Sequence, residues 1–168
     1  MKDLTIRAFG PDDAESLIAY LKQIGGESEN LTFGAEGLPV TVEREREILR
    51  AAAEDDRSVM LGVWCGDELI ANGSIRSLPR RMHHRATLGI TVKKAYWNRG
   101  IGSMLLENLI RYAKEHGVEL IDLEVRADNR AAIRLYEKFG FYQTGTLPAY
   151  FKIGDDYYDF WSMCLDLR

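Results

Sequence analysis

Apolar and polar residues alternate over Leu4 to Phe9, which predicts a strand. Pro11 then opens a helix running to about Ile24, with Asp12 and Asp13 suited to its positive end. Gly25 to Pro39 has no period and is rich in glycine, a loop of the length that often carries binding function. Thr41 can cap a second helix to about Glu54. Ser58 to Cys65 and Glu68 to Leu78 read as strands joined by a tight turn at Gly66-Asp67. His84 to Lys93 is another strand. After it, Ile101, Met104, Leu105, Leu109 and Tyr112 recur at helical spacing until Gly117 stops the helix. Glu119 to Arg126 is a strand and Asp128 to Phe139 a helix ended by Gly140, and aromatic-rich strands follow around Phe141–Thr146 and Tyr157–Leu167. This order predicts an α/β (α+β) chain with one mixed, mostly antiparallel sheet. A parallel pair falls where the crossover helix returns the chain.

Without repeats, low-complexity tracts or linkers, residues 1–168 are expected to form a single domain with a real core. Apolar residues make up 46% and charged residues 29%, a folded composition. A formal charge of −4 leaves no basic excess to displace counterions, so nucleic acid is not an expected partner. No apolar run reaches bilayer length and no signal-peptide core follows Met1, so no membrane association is expected and the chain reads as cytoplasmic. Cys65 and Cys164 sit in strand patterns and are expected to be buried thiols rather than a disulfide, with no zinc-like spacing and no metal site implied.

The chemistry concentrates at Arg99-Gly-Ile-Gly-Ser103, where a β-branched strand end turns into a helix whose first turn is nearly bare of side chains. Unpaired N–H groups, the helix dipole and the Arg99 cation suit a phosphate there, and Gly100 and Gly102 let it approach the backbone. A glycine-containing loop that merely starts a helix would look the same in isolation. A dinucleotide fold fails on layout, because its glycine turn follows the first strand of a βαβ unit.

Val92 through Leu106, together with Glu124-Val-Arg-Ala-Asp-Asn-Arg-Ala-Ala-Ile-Arg-Leu-Tyr-Glu-Lys-Phe-Gly-Phe141, resembles the GNAT superfamily of acetyl-CoA-dependent N-acetyltransferases. The element order agrees along essentially the whole chain. The family's loop pattern, Gln/Arg-x-x-Gly-x-Gly/Ala, is broken only at its first position, where Trp97 stands. The resemblance implies a seven-stranded sheet splayed between strands 4 and 5 and flanked by four helices. The pantetheine arm of the cofactor would lie in the splay and pair with strand groups otherwise left unsatisfied. It also implies that the Ile90 N–H contacts the acetyl carbonyl and the Val92 N–H the pantetheine, along the segment Ile90-Thr91-Val92. Asn98, Arg99, Gly100, Ile101, Gly102 and Ser103 would hold the pyrophosphate, and Asn129 would bond the pantetheine, although a plain helix cap is its other reading.

Ala132, Leu135, Tyr136 and Phe139 form an apolar helix face, so by pattern alone Tyr136 reads as a core tyrosine with a hydrogen-bonded hydroxyl, and the resemblance reverses that reading. In the family a tyrosine here protonates the departing thiolate. For the base, Glu124 is the candidate, since Leu123-Glu-Val-Arg126 is similar to bacterial acetylases of ribosomal-protein N-termini. An ordinary solvent-facing glutamate is the alternative. Ala86 occupies the strand position where histone-acetylating relatives place their glutamate. His83 and His84, beside Arg80, Arg81 and Arg85, read as a solvated turn.

Glu27–Pro39 and Leu147–Tyr158 are expected to cover the acceptor groove. Glu27, Glu29 and Glu36 would attract a cationic amine, and Phe33, Tyr150, Phe151, Tyr157 and Tyr158 would wall it. The expected activity is direct acetyl transfer to a primary amine of a small molecule or peptide N-terminus, with acetyl-CoA as cosubstrate. A domain that binds a CoA ester without transferring anything is the competing reading. The closing aromatic hairpin is a possible homodimer contact.

Overall fold

The computed structural model describes residues 3–168. β1 (Leu4–Ala8) leads through one tight turn at Pro11–Asp13 into α1 (Ala14–Gly25). Asp13 fixes that turn by accepting the Gly10 N–H at 2.8 Å and pairing with Arg7 at 2.7 Å. α2 (Val42–Glu54) starts where Thr41 Oγ1 accepts the Arg44 N–H. β2 (Val59–Cys65), β3 (Glu68–Ser77) and β4 (Arg85–Val92) form an antiparallel meander. α3 (Ile101–Glu115) crosses over to β5 (Leu120–Arg126), and α4 (Arg130–Lys138) precedes the closing pair β6 (Tyr142–Ile153) and β7 (Asp156–Asp166). The seven strands form the expected mixed sheet, in the order β1-β2-β3-β4-β5-β7-β6.

β6 is longer than the sequence pattern suggests. Pairing with β7 lapses after Leu147 and resumes at Phe151↔Tyr158, so much of the anticipated hairpin cover is strand, turning only at Gly154. Pro148 has no N–H to give the ladder, and a bulge takes it up with Ala149 at φ 49° and its N–H on Asp159 Oδ1 at 2.8 Å. Cys65 is half-buried rather than buried, while Cys164 is buried, and both are free thiols.

The feature that matters for function is the parallel pair. β4 and β5 align over Arg85↔Leu120, Ala86↔Ile121 and Thr87↔Asp122, and no further. β4 stays on β3 to Val92↔Ala71 while β5 stays on β7 to Arg126↔Phe160. Beyond Thr87 the two strands therefore part. α3 is pressed close to the sheet beneath them, because a Cβ on Gly73 would lie 2.7 Å from Leu109 Cδ1 and 3.0 Å from Leu105 Cδ2. Leu105, Leu106 and Leu109 are fully buried against Ile75, Ile121 and Val125, each contributing about 1.5–3 kcal/mol. A second cluster, with Leu17, Tyr20 and Ile24 of α1 against Leu49, Trp64 and Leu69, covers the other face. Among the described residues no helix is long and apolar enough to cross a membrane.

Candidate active site

One wall of the gap is the free edge of β4. The Lys93 N–H donates to Ile70 O of β3 at 2.9 Å. Amide direction alternates along a strand and the β3–β4 register has no shift, so the Val92 and Ile90 N–H groups point away from β3 into the gap. The Val92 carbonyl faces the same way, and the Trp97 indole N–H donates to it at 2.8 Å. Trp97 thus ties the loop to the strand end with its side chain. Thr91 points out of the gap's plane, where its Oγ1 meets the Tyr20 hydroxyl at 2.9 Å.

Between Trp97 and α3 the backbone turns through positive φ at Asn98 (58°) and Gly100 (79°). Gly100 holds the N-cap position without any side-chain cap, and among the described residues the Ile101, Gly102 and Ser103 amides have no acceptor. A bare helix start of this kind, at the positive end of a helix of 15 residues, suits an anion. Gly102 also lets α3 lie against α4, since a Cβ there would sit 3.2 Å from Leu135 Cδ2. Arg99 is placed at the rim, its guanidinium 5.4 Å from the centre of the Tyr96 ring, and it does not line the cleft.

The opposite wall comes from β5 and α4. Asn129 caps α4, its Oδ1 accepting the Ala132 N–H at 3.3 Å, which leaves its amide donors for another partner. Asp128 does not cap; it forks onto Arg126 at 2.7 and 2.8 Å. The Tyr136 ring is buried, with its centre 5.7 Å from that of Phe141. Burial alone acts on its hydroxyl, which makes no hydrogen bond among the described residues, and the residue lines the cleft. The core reading thus holds for the ring, which belongs to the main apolar cluster, while the hydroxyl lacks the bond that reading expected. Burial pushes the phenol above its ordinary value, so it keeps its proton at neutral pH.

Glu124 projects from β5 into the same cleft, and its Oε2 accepts the Tyr150 hydroxyl at 2.6 Å. The β6 bulge brings Tyr150 there, packed on Phe151 and Phe160. The nearby carboxylate raises the Tyr150 phenol, so this hydroxyl too remains a donor. Sequence reasoning had placed Tyr150 only as a wall.

These pieces surround a cleft of about 670 Å³. Ile90, Thr91, Val92, Asn98, Gly100, Ile101, Gly102, Ser103, Asn129, Glu124 and Tyr136 all line it. Expectations for the acceptor side fare less well. Of the three acidic residues Glu27 alone lines the cleft, and it is engaged with the Lys94 N–H at 2.7 Å. Glu29 lies 3.9 Å from Arg126, and Glu36 folds back onto the Gly34 N–H. Phe33 packs into the α1 core, Tyr157 is 62% exposed, and Tyr158 lies under the Arg126 guanidinium at 3.9 Å. Asn72 and Ser74 of β3, which the sequence did not single out, line the floor. His83 is bonded to the Arg80 carbonyl on the exposed turn, away from the cleft. Among the described residues no group of three or more His, Cys, Asp or Glu is arranged to hold a metal ion.

A sheet parted between parallel strands, with an uncapped helix start and an unspent phenol on the gap, leaves an opening whose shape and polarity suit an extended, anion-bearing molecule. The chain belongs to the acetyltransferase (GNAT) family, whose model matches residues 27–141. A GNAT-family acetyltransferase structure from Streptococcus pneumoniae superposes with a TM-score of 0.94 at 29% identity, covering 98% of this chain and 99% of that one. Among curated relatives, the [ribosomal protein bS18]-alanine N-acetyltransferase of Salmonella typhimurium is 41% identical over 83 residues, 49% of this chain and 56% of that protein. An N-alpha-acetyltransferase of Sulfurisphaera tokodaii is 35% identical over 86 residues, 51% of this chain and 52% of that protein. The chain spans about half the length of the curated relatives it matches.

Proposed function

We propose that the protein transfers the acetyl group of acetyl-CoA directly to a primary amine, of a small molecule or a peptide N-terminus, within a ternary complex. The observation that carries this is the Tyr136 hydroxyl, unbonded at the cleft although its ring is buried. The residues present fit the cosubstrate. The uncapped amides of Ile101, Gly102 and Ser103, with the turn at Asn98 and Gly100, suit a diphosphate, and the outward amides of Ile90 and Val92 suit an amide-bearing arm. Asn129 would add a donor from the facing wall and Arg99 a cation at the rim. Bound there, acetyl-CoA supplies an activated thioester carbonyl.

The chain's own groups do the rest. An alkylammonium has a pKa of about 10.4, so a proton must leave before nitrogen can attack. Glu124 takes it, directly or through water, with its carboxylate held by Tyr150. The Ile90 N–H donates to the carbonyl oxygen as charge builds there. As the C–N bond forms and the C–S bond breaks, the hydrogen bond from the Tyr136 hydroxyl to sulfur strengthens; the second proton that nitrogen must shed passes through water to that end of the cleft, so that CoA leaves as the thiol and Tyr136 ends protonated. No cysteine nucleophile is required; burial pushes the Cys164 thiol up, and neither cysteine lines the cleft. The reading takes residues 1–168 as one domain acting in the cytoplasm, with no metal and with the exposed β6 edge available to a homodimer.

Screening an amine panel with acetyl-CoA while following free thiol tests this directly. Amine-dependent thiol release is expected. CoA binding without release for any amine would instead establish a module that only holds the ester, a role for which an idle Tyr136 hydroxyl has no use.

A further inference from the structure

Trp97 lines the cleft, and its side chain is fixed there. Trp64 is buried in the α1 core and Trp161 packs against the main core cluster, whereas Trp97 keeps 43% of its surface open. Its indole N–H is nonetheless spent, donating to the Val92 carbonyl at 2.8 Å. That carbonyl points into the gap, so the bond sets the edge of the indole at the end of β4, inside the opening. A ring anchored by its polar tip, with its body left open on a cleft, is apolar surface offered to a ligand.

Its place between two polar seats says which part of a ligand it meets. The Ile90 and Val92 amides lie before it, along β4. The turn at Gly100 and the uncapped amides of Ile101, Gly102 and Ser103 lie after it. With the Val92 carbonyl taken by the indole, the strand edge offers an extended arm no acceptor past that point, so pairing with β4 ends there. The neighbouring aromatic, Tyr96, is engaged elsewhere: its hydroxyl donates to Glu68 Oε2 at 2.9 Å, and the Arg99 guanidinium lies 5.4 Å from its ring centre. In CoA, the atoms between the last amide of the arm and the diphosphate form the pantoyl unit, whose quaternary carbon carries two methyl groups. Nothing else along the arm is branched hydrocarbon, and an open indole face is its complement.

We propose that the Trp97 indole is the seat of the pantoyl methyl groups, ending the arm's pairing with β4 and turning the arm toward α3. The loop pattern that this chain otherwise follows has Gln or Arg at this position. Either can donate to the Val92 carbonyl, but neither has a ring, so the contact belongs to this chain's departure from the pattern. This rests on the acetyl-CoA reading above and deepens it.

Calorimetric binding of two ligands tests this: CoA, and a CoA analogue whose pantoyl quaternary carbon is a plain CH2. The wild-type protein should bind CoA about tenfold more tightly than the analogue, the worth of two methyl groups buried in part. Trp97→Gln keeps a donor for the Val92 carbonyl and removes the ring, so that preference should fall below about twofold. Trp97→Phe keeps a smaller ring without its anchor, and about threefold should remain. A substitution that merely loosened the loop would weaken both ligands together and leave their ratio unchanged. Such an unchanged ratio in both variants, or the absence of any preference in the wild type, would overturn the assignment while leaving acetyl transfer intact. If the wild-type protein binds neither ligand, the acetyl-CoA reading itself fails and the role of Trp97 with it.

Discussion

Tyr136→Phe removes one oxygen and leaves the ring that packs 5.7 Å from Phe141. That oxygen bonds nothing among the described residues, so its loss should change stability by less than about 1 kcal/mol, in either direction. The effect on chemistry follows from proton affinities. The phenol is raised above its ordinary value of about 10, whereas a thiol sits near 8.5, so the donation runs uphill. Tyr136 therefore acts by a hydrogen bond that strengthens as the C–S bond breaks, at the low end of general-acid effects. A fall in kcat of about 100-fold is expected, worth about 2.7 kcal/mol. KM for acetyl-CoA should change by less than about threefold, because the hydroxyl's contribution appears only in the transition state. Steady-state thiol release, with a thermal melt on the same preparation, reads both quantities. A kcat within threefold of wild type would refute the acid role. A large loss of Tm accompanying the loss of rate would return Tyr136 to the core.

Other changes test neighbouring parts. Tyr150→Phe deletes the 2.6 Å bond to Glu124, and kcat/KM for the amine should fall by up to about tenfold with acetyl-CoA affinity unchanged; full activity would show the bond to be idle. Gly73→Ala drives a methyl toward Leu109 and Leu105 in a filled core, so chemical denaturation should show a loss of about 1–3 kcal/mol, and an unchanged midpoint would mean that α3 shifts freely. The Ser58 and Ser77 hydroxyls hold the Asp55 carboxylate below its ordinary value. A group depressed in this way stabilises the fold above its unfolded pKa of about 4 and gives that up as pH falls through its folded value. Wild-type Tm should therefore drop from about pH 5 toward 3 more steeply than that of Asp55→Asn, and parallel curves would contradict this.

How legible the fold was depended on how local its signals are. The strand read as His84–Lys93 is found at Arg85–Val92, and the helix capped by Thr41 begins at Val42, because periodicity and caps act within a few residues. β6 runs past the expected end at Thr146, because a bulge at Pro148 and Ala149, held by the Asp159 contact, carries the strand on to Ile153. Within the site, the turn into α3 and the position of Tyr136 on α4 were accessible for the same local reason. The Tyr150–Glu124 bond spans 26 positions and depends on that bulge. Phe33 looked like a cleft wall in sequence, yet the apolar side of α1 claims it.

The most direct test of the account compares two ligands that differ at the diphosphate. Calorimetric titration should give one saturable site for CoA and at least about 100-fold weaker binding for pantetheine, which lacks the group that the uncapped start of α3 receives. Absence of heat with CoA, or equal affinity for the two, would contradict it.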